Sequence, residues 1–162
     1  MDAHQDHVTP AHSESPTIST RGADTGHIDE KHFYLFGVRV ENTTMDAAVD
    51  DLCDIIENGP QAAVAYVNAD CMNKCFEDGE YHFTLRNMDR VFADGIGVRL
   101  AAQLFGEGVV DNVNGTDLFP LLCERLAESG RGLFLLGARP GIAEAVAANM
   151  TGKYPGLKIA GK

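Results

Sequence analysis

The sequence predicts an α/β fold: a Rossmann-like, largely parallel sheet with helices on both faces, incomplete at its C-terminus. Three observations predict it. Short apolar runs alternate with segments of helical periodicity from Phe33 onward. The run Ala62–Val67 (AAVAYV) is continuously apolar, as expected of a parallel strand buried on both faces. A third run ends on Asp94-Gly95-Ile96-Gly97, placing a carboxylate and two glycines where open sheets put their ligands.

Residues 1–31 are set apart by His4, His7, His12 and His27, many small polar residues and few large apolar ones. Such a segment cannot bury enough surface to offset its ordering entropy, so a disordered polar tail is expected there. The α/β domain is expected over 32–162. Phe33–Val40 (FYLFGVRV) reads as a first strand, rich in aromatic and β-branched residues. Thr43 and Asp46 resemble a capping box ahead of a helix whose apolar positions are Met45, Ala48, Val49, Leu52, Ile55 and Ile56. Asn58-Gly59-Pro60 stops it. The strand Ala62–Val67 is followed by helices over Ala69–Phe76 and Tyr81–Met88. The next strand, Asp89–Ala93, leads through the Asp94 turn into a helix over Val98–Phe105. Thr116 or Asp117 is expected to cap a helix over Leu118–Glu128. A strand at Gly132–Leu136, a turn at Gly137–Gly141, a helix over Ile142–Thr151 and a strand at Leu157–Ala160 complete the pattern. The last strand has no helix after it to cover it, which predicts that part of the domain lies beyond Lys162.

Composition narrows the function. The chain has 162 residues, 44 % of them hydrophobic, enough for a real core. Its net charge of −11 argues against nucleic acid as partner and against simple adhesion to anionic lipid. No apolar run approaches the roughly 20 residues of a membrane span, and no secretory signal pattern is visible. The cysteines are Cys53, Cys71, Cys75 and Cys123. Cys71 and Cys75 share one helix face, but no second pair of matching spacing completes a zinc site, so a small apolar face is expected. A reducing compartment fits.

The polar residues collect in four loops: Tyr66–Asp70, Asp94–Gly97, Asn114–Asp117 and Gly137–Gly141. In one parallel sheet the first, second and fourth should converge. Two readings fit Asp94: a general base on an acceptor hydroxyl, or an N-cap for the next helix. Asn68 either holds a sugar or base edge or caps a helix. The turn Gly137-Ala138-Arg139-Pro140-Gly141 either presents N–H groups to a phosphate or is an ordinary strand-to-helix turn. A dinucleotide-dependent oxidoreductase is a poorer reading, because Leu100 stands where the fingerprint needs its third glycine.

Taken together, FGVRVENTTMDAAV, YVNADCMNK, DRVFADGIGVRLAAQLFG, VNGTDLFPLLCERLA and LFLLGARPGIAEAVAANMTGKYPGLKIAG resemble the bacterial WecG/TagA/CpsF glycosyltransferases over about residues 33–162. The resemblance implies transfer of an N-acetylmannosamine-type sugar from a UDP donor to a polyprenyl-diphosphate-linked acceptor in cell-surface polysaccharide synthesis. It implies an inverting reaction that needs no cofactor or metal. It also implies self-association and a cytoplasmic site at the inner membrane face. By position, Asp94 matches the family's proposed base and Asn68 the asparagine of its T-x-N motif. Gly95 and Gly97 match the glycines beside the base. Gly115, Thr116 and Asp117 match the G-[ST]-D element, and Gly137, Pro140 and Gly141 the glycine-rich turn; Arg139 lies within that turn. Three features depart. Tyr66 replaces the threonine of T-x-N, and Asn112 replaces an arginine, whose charge Arg99 or Arg139 would have to supply. The family's later G-x-P-K-Q-E-type segment and C-terminal part are absent. That absence leaves a second function class in view: a non-catalytic nucleotide-sugar-binding module.

Overall fold

The computed structural model describes residues 31–162. The polar tail expected over 1–31 therefore lies, except for Lys31, outside the described residues. Phe33 and Leu35 are buried, and so are Val38 and Val40. The step from 35 to 38 breaks the two-residue period of a strand, so the chain cannot run straight through. It turns at Phe36 and Gly37, both with positive φ (51° and 77°). This corrects the single strand expected over Phe33–Val40. The run is a hairpin of β1 (His32–Leu35) and antiparallel β2 (Val38–Glu41), with Leu35 opposite Val38.

Helix α1 (Met45–Asn58) follows, capped by Thr44, whose hydroxyl accepts from the Ala47 N–H. This corrects the capping box expected from Thr43 and Asp46, since the cap lies one residue later and Ala47 has no polar side chain to complete a box. Then come β3 (Val64–Val67), α2 (Ala69–Glu77), α3 (Gly79–Arg86), β4 (Arg90–Ala93) and α4 (Ile96–Leu104). The chain ends through α5 (Gly115–Ser129), β5 (Gly132–Phe134), α6 (Ile142–Lys153) and β6 (Lys158–Gly161). Alternation, helix placement and mostly parallel pairing match the fold class read from the sequence.

The main sheet has the order β1-β2-β4-β3, parallel except for the hairpin. Its two faces bury different partners. Val38, Val40, Val67, Val91 and Ala93 pack with Met72 and Cys75 of α2, Leu85 of α3, and Val98 and Ala102 of α4. Phe92, Val64 and Tyr66 pack against Ala48, Val49 and Leu52 of α1 and Leu118 of α5. A third cluster joins Cys123 and Leu126 of α5 to Leu133, Met150, Leu157 and Ile159. Strands β5 and β6 pair only with each other, as a second parallel sheet. The strand pairing therefore does not extend the main sheet to β5. The expected convergence of the first, second and fourth loops on one sheet edge is corrected to the first and second.

Candidate active site at the carboxyl edge of β3 and β4

Strands β3 and β4 are parallel and in register, with Val67 beside Ala93. The residues that follow, Asn68 and Asp94, therefore leave the sheet side by side at its carboxyl edge. The Asp94 N–H donates to the Val67 carbonyl at 2.8 Å, carrying the pairing one residue past the strand. Asp94 is partly buried, and its carboxylate has no hydrogen-bond partner among the described residues. It does not cap α4. Gly95 occupies the N-cap position, and no side chain caps that helix. Of the two readings of Asp94, the structural one is thus removed.

Gly95 has φ 100° and ψ 163°, a region open to glycine and costly for other residues. No atom lies within 4 Å of where its Cβ would stand, so the space before this backbone is open. Its N–H donates to Asn112 Oδ1 at 2.7 Å. Asn112 is held in turn: its N–H donates to Asp111 Oδ1 at 2.7 Å, while Asp111 Oδ2 accepts from the Met45 N–H at 3.1 Å. Upstream, the Asn42 amide donates to the Gly108 carbonyl and accepts from the Val110 N–H. The 108–112 segment is thereby tied to the start of α1 and to the loop that displays Asp94. Sequence reading marked Asn112 only as a missing arginine. Its positioning role spans 17 residues of sequence, and the local signal was an Asp-Asn-x-Asn loop rich in side-chain acceptors.

Tyr66 lies behind Asp94, paired with Phe92 in the sheet, their ring centroids 5.8 Å apart. Burial pushes its phenol above the ordinary tyrosine range, and the negative charge of Asp94 pushes in the same direction. At neutral pH Tyr66 is a neutral hydroxyl, able to donate. Gly115 sits over the Tyr66 ring, its would-be Cβ 3.5–3.6 Å from the ring carbons. The Asn114–Asp117 loop therefore meets this edge, which sequence reading did not anticipate. Gly97 opens a second close approach: a Cβ there would lie 2.9 Å from Ala69 Cβ, so the first turns of α4 and α2 touch.

Other expected residues serve local structure. Asn68 caps α2, its Oδ1 accepting from the Cys71 N–H at 3.0 Å. Asn114, not Thr116 or Asp117, caps α5: its Oδ1 accepts from the Asp117 N–H, and its amide donates to Asp117 Oδ2. Thr116 is exposed at the first turn of α5. Cys71 and Cys75 contribute to the α2 packing face, and the described residues contain no cluster of metal-ligating side chains.

The turn Gly137–Gly141 stands on the second sheet. Gly137, Ala138 and Gly141 all have positive φ, the non-glycine Ala138 among them at 62°. A cavity of about 290 Å³ there is lined by residues 135–141 with Ala143, Glu144 and Lys162, and none of its lining comes from the β3–β4 edge. Arg139 and Lys162 give it positive charge. A larger cavity of about 430 Å³ opens elsewhere, between the hairpin and α1. Its arginines are paired, Arg90 with Asp51 through two bonds of 2.7 and 3.0 Å and Arg39 with Glu41. The carboxyl-edge geometry, not cavity size, marks the candidate site. Among the described residues no helix is long and apolar enough to cross a membrane.

The chain matches the glycosyl transferase WecG/TagA/CpsF family over residues 33–162. It is similar to the N-acetylglucosaminyldiphosphoundecaprenol N-acetyl-beta-D-mannosaminyltransferase of Bacillus subtilis (strain 168), 27 % identical over 100 residues, covering 62 % of this chain and 39 % of that protein. The protein of the same name from Bacillus spizizenii (strain ATCC 23059 / NRRL B-14472 / W23) is 24 % identical over 106 residues, 65 % of this chain and 41 % of its own. The chain thus spans about two-fifths of the length of these relatives.

Proposed function

The chain belongs to the glycosyl transferase WecG/TagA/CpsF family, and from that premise we propose that it carries the base-bearing half of a sugar transfer. The donor is a UDP-linked N-acetylmannosamine-type sugar, and the acceptor is a sugar linked through diphosphate to a polyprenyl lipid at the inner membrane face. Asp94 accepts the proton of the acceptor hydroxyl. That oxygen forms its bond to the anomeric carbon from the face opposite the donor phosphate. The bond from carbon to phosphate oxygen breaks, its electron pair leaves with UDP, and the configuration inverts.

One observation carries this reading: the Asp94 carboxylate stands at a strand end without an internal hydrogen bond, beside open space at Gly95. A structural aspartate at that position would be engaged in capping or pairing. Tyr66, kept protonated by burial and by Asp94, donates to a substrate oxygen. The amino ends of α2 and α4 face the same edge and favour the negative charge of the diphosphate. The Gly137–Gly141 turn, with Arg139, offers the second anion cradle.

The test is sugar transfer to a diphosphate-linked acceptor by the wild-type chain and by Asp94→Asn. General base catalysis contributes roughly 10²–10⁴-fold, so the variant should lose at least two orders of magnitude in turnover while keeping UDP affinity. Wild-type turnover in Asp94→Asn removes Asp94 from the chemistry. The second function class is a nucleotide-sugar-binding module. UDP binding by calorimetry without any turnover in the wild type would decide for it.

A further inference from the structure

We propose that the outer face of α4 is the track along which the isoprenoid chain of the acceptor lies, an inference that rests on the sugar-transfer reading above. The helix starts at Gly95, directly after Asp94, and ends at its C-cap Phe105. It leads from the candidate base toward the opposite edge of the sheet. Its buried side is Val98 and Ala102. Its other side carries Ile96, Leu100 and Leu104, spaced four residues apart and therefore aligned in one stripe. These three are 74 %, 53 % and 87 % exposed. A soluble helix ordinarily turns polar residues outward, and so continuous an aliphatic stripe marks a contact surface.

The ends of the stripe say what kind of molecule fits. At the end near Asp94 stand the amino terminus of α4 and Arg99, which is exposed and has no ion-pair partner among the described residues. Both suit a diphosphate. At the far end Phe105 meets Phe36 of the hairpin turn at 6.1 Å, and Phe36 meets Phe76 of α2 at 4.7 Å, both edge to face. All three rings are exposed. Phe36 is held in the left-handed region, and the His82 ring bonds its carbonyl at 2.9 Å, so the turn that displays this ring is fixed. The order along the surface is carboxylate, cation, aliphatic stripe, aromatic cluster. An amphiphile with a sugar, a diphosphate and an isoprenoid chain has its parts in that same order. A second copy of the chain would need apolar surface but has no use for a cation and a free carboxylate at one end of it. The relatives named above act on a diphosphoundecaprenol-linked sugar, the same class of amphiphile.

The experiment compares geranylgeranyl diphosphate with inorganic diphosphate as probes, using the 162-residue chain and its Leu100→Gln/Leu104→Gln variant. Both positions are exposed, so the variant keeps its packing, and glutamine adds no charge to repel the probe. The wild type should bind geranylgeranyl diphosphate at least tenfold more tightly than inorganic diphosphate, and the variant should lose most of that preference. Affinity for inorganic diphosphate should change less than twofold. An undiminished preference in the variant overturns the track. So does a wild-type dimer in sedimentation that the variant dissociates, because the stripe would then belong to a second copy. UDP titration separates the two claims: UDP binding without isoprenoid preference overturns the track alone, and failure to bind either overturns the function as well.

Discussion

Gly95 and Gly97 stand two residues apart and are glycines for different reasons, which a double-mutant cycle with Ala69 can separate. In Gly97→Ala the new methyl would lie 2.9 Å from Ala69 Cβ. Carbon atoms prefer a separation of about 3.5–4.0 Å, so the first turns of α4 and α2 must part by roughly 0.6–1 Å. Overpacking of this kind costs about 1–3 kcal/mol. Replacing a helical glycine by alanine returns about 1 kcal/mol of helix propensity. The net expectation for Gly97→Ala is a loss of about 1 kcal/mol, taking the middle of the overpacking range. Ala69→Gly removes the opposing methyl and costs at most about 1 kcal/mol as a glycine in the first turn of α2. With both changes the clash is gone and the propensity terms cancel, so the double variant should return to within about 0.5 kcal/mol of wild type. The coupling energy is then about 2 kcal/mol, well above the 0.3–0.5 kcal/mol scatter of additive pairs. Urea denaturation measures it, a change of 1 kcal/mol moving the midpoint by about 0.3–1 M for ordinary slopes. If Gly97→Ala alone stabilises the protein, or if the two changes add, the helices do not touch here and the packing argument fails.

Gly95→Ala meets no atom but must hold φ near 100°, so it should cost about 1–3 kcal/mol by backbone strain, with no rescue from Ala69→Gly in the same urea assay. Tyr66 is raised above its ordinary value of 10.0 by burial and by Asp94, and Tyr81 is pushed up to about 12, chiefly by its hydrogen bond with Cys71. The folded chain therefore holds these phenol protons more tightly than the unfolded chain. Their stabilisation is complete below pH 10 and is lost as pH rises through the folded values, which predicts alkaline unfolding in that window. Tyrosine ¹³Cζ titration should show the Tyr66 pKa falling in Asp94→Asn, and an unmoved Tyr66 would mean the carboxylate does not face the phenol.

Much of this was legible because local patterns carried it. The apolar spacing from Met45 to Ile56 located α1, and Asn58-Gly59 located its end. The Asp94 turn was readable as a strand end from Val91-Phe92-Ala93 followed by glycines, and it lies there. The hairpin was present as a parity change between Leu35 and Val38 but lacked the usual turn dipeptide. Phe36-Gly37 places a bulky residue at positive φ, which no propensity suggests. The cap of α5 was misread because Thr116 and Asp117 are both good caps. The reciprocal bonding of Asn114 with Asp117, three residues apart, was the stronger pattern. The Asp-Asn-x-Asn run marked 111–114 as a loop rich in side-chain acceptors, but nothing local shows that Asn112 reaches Gly95, 17 residues away.

The misplaced fourth loop has a deeper cause. Alternating strands and helices fix a chain's order but not which strands become neighbours, because pairing depends on how the connecting helices pack. Here that element is α5. Its amino end lies on Tyr66 through Gly115, and its Leu118 fills the core beneath the main sheet. Its Cys123 and Leu126 fill the core of the second sheet with Leu133 and Ile159. At 15 residues it is about 22 Å long, so one helix touches both the base-bearing edge and the sheet that carries the Gly137–Gly141 cradle. The separation of the β3–β4 edge from the Gly137–Gly141 turn is thus governed by side-chain packing along α5 rather than by a strand ladder. A ladder has one register, whereas a packed helix can shift by small amounts as its contacts change. In the transfer proposed above, α5 would set the gap between the Asp94 edge and the Gly137–Gly141 turn.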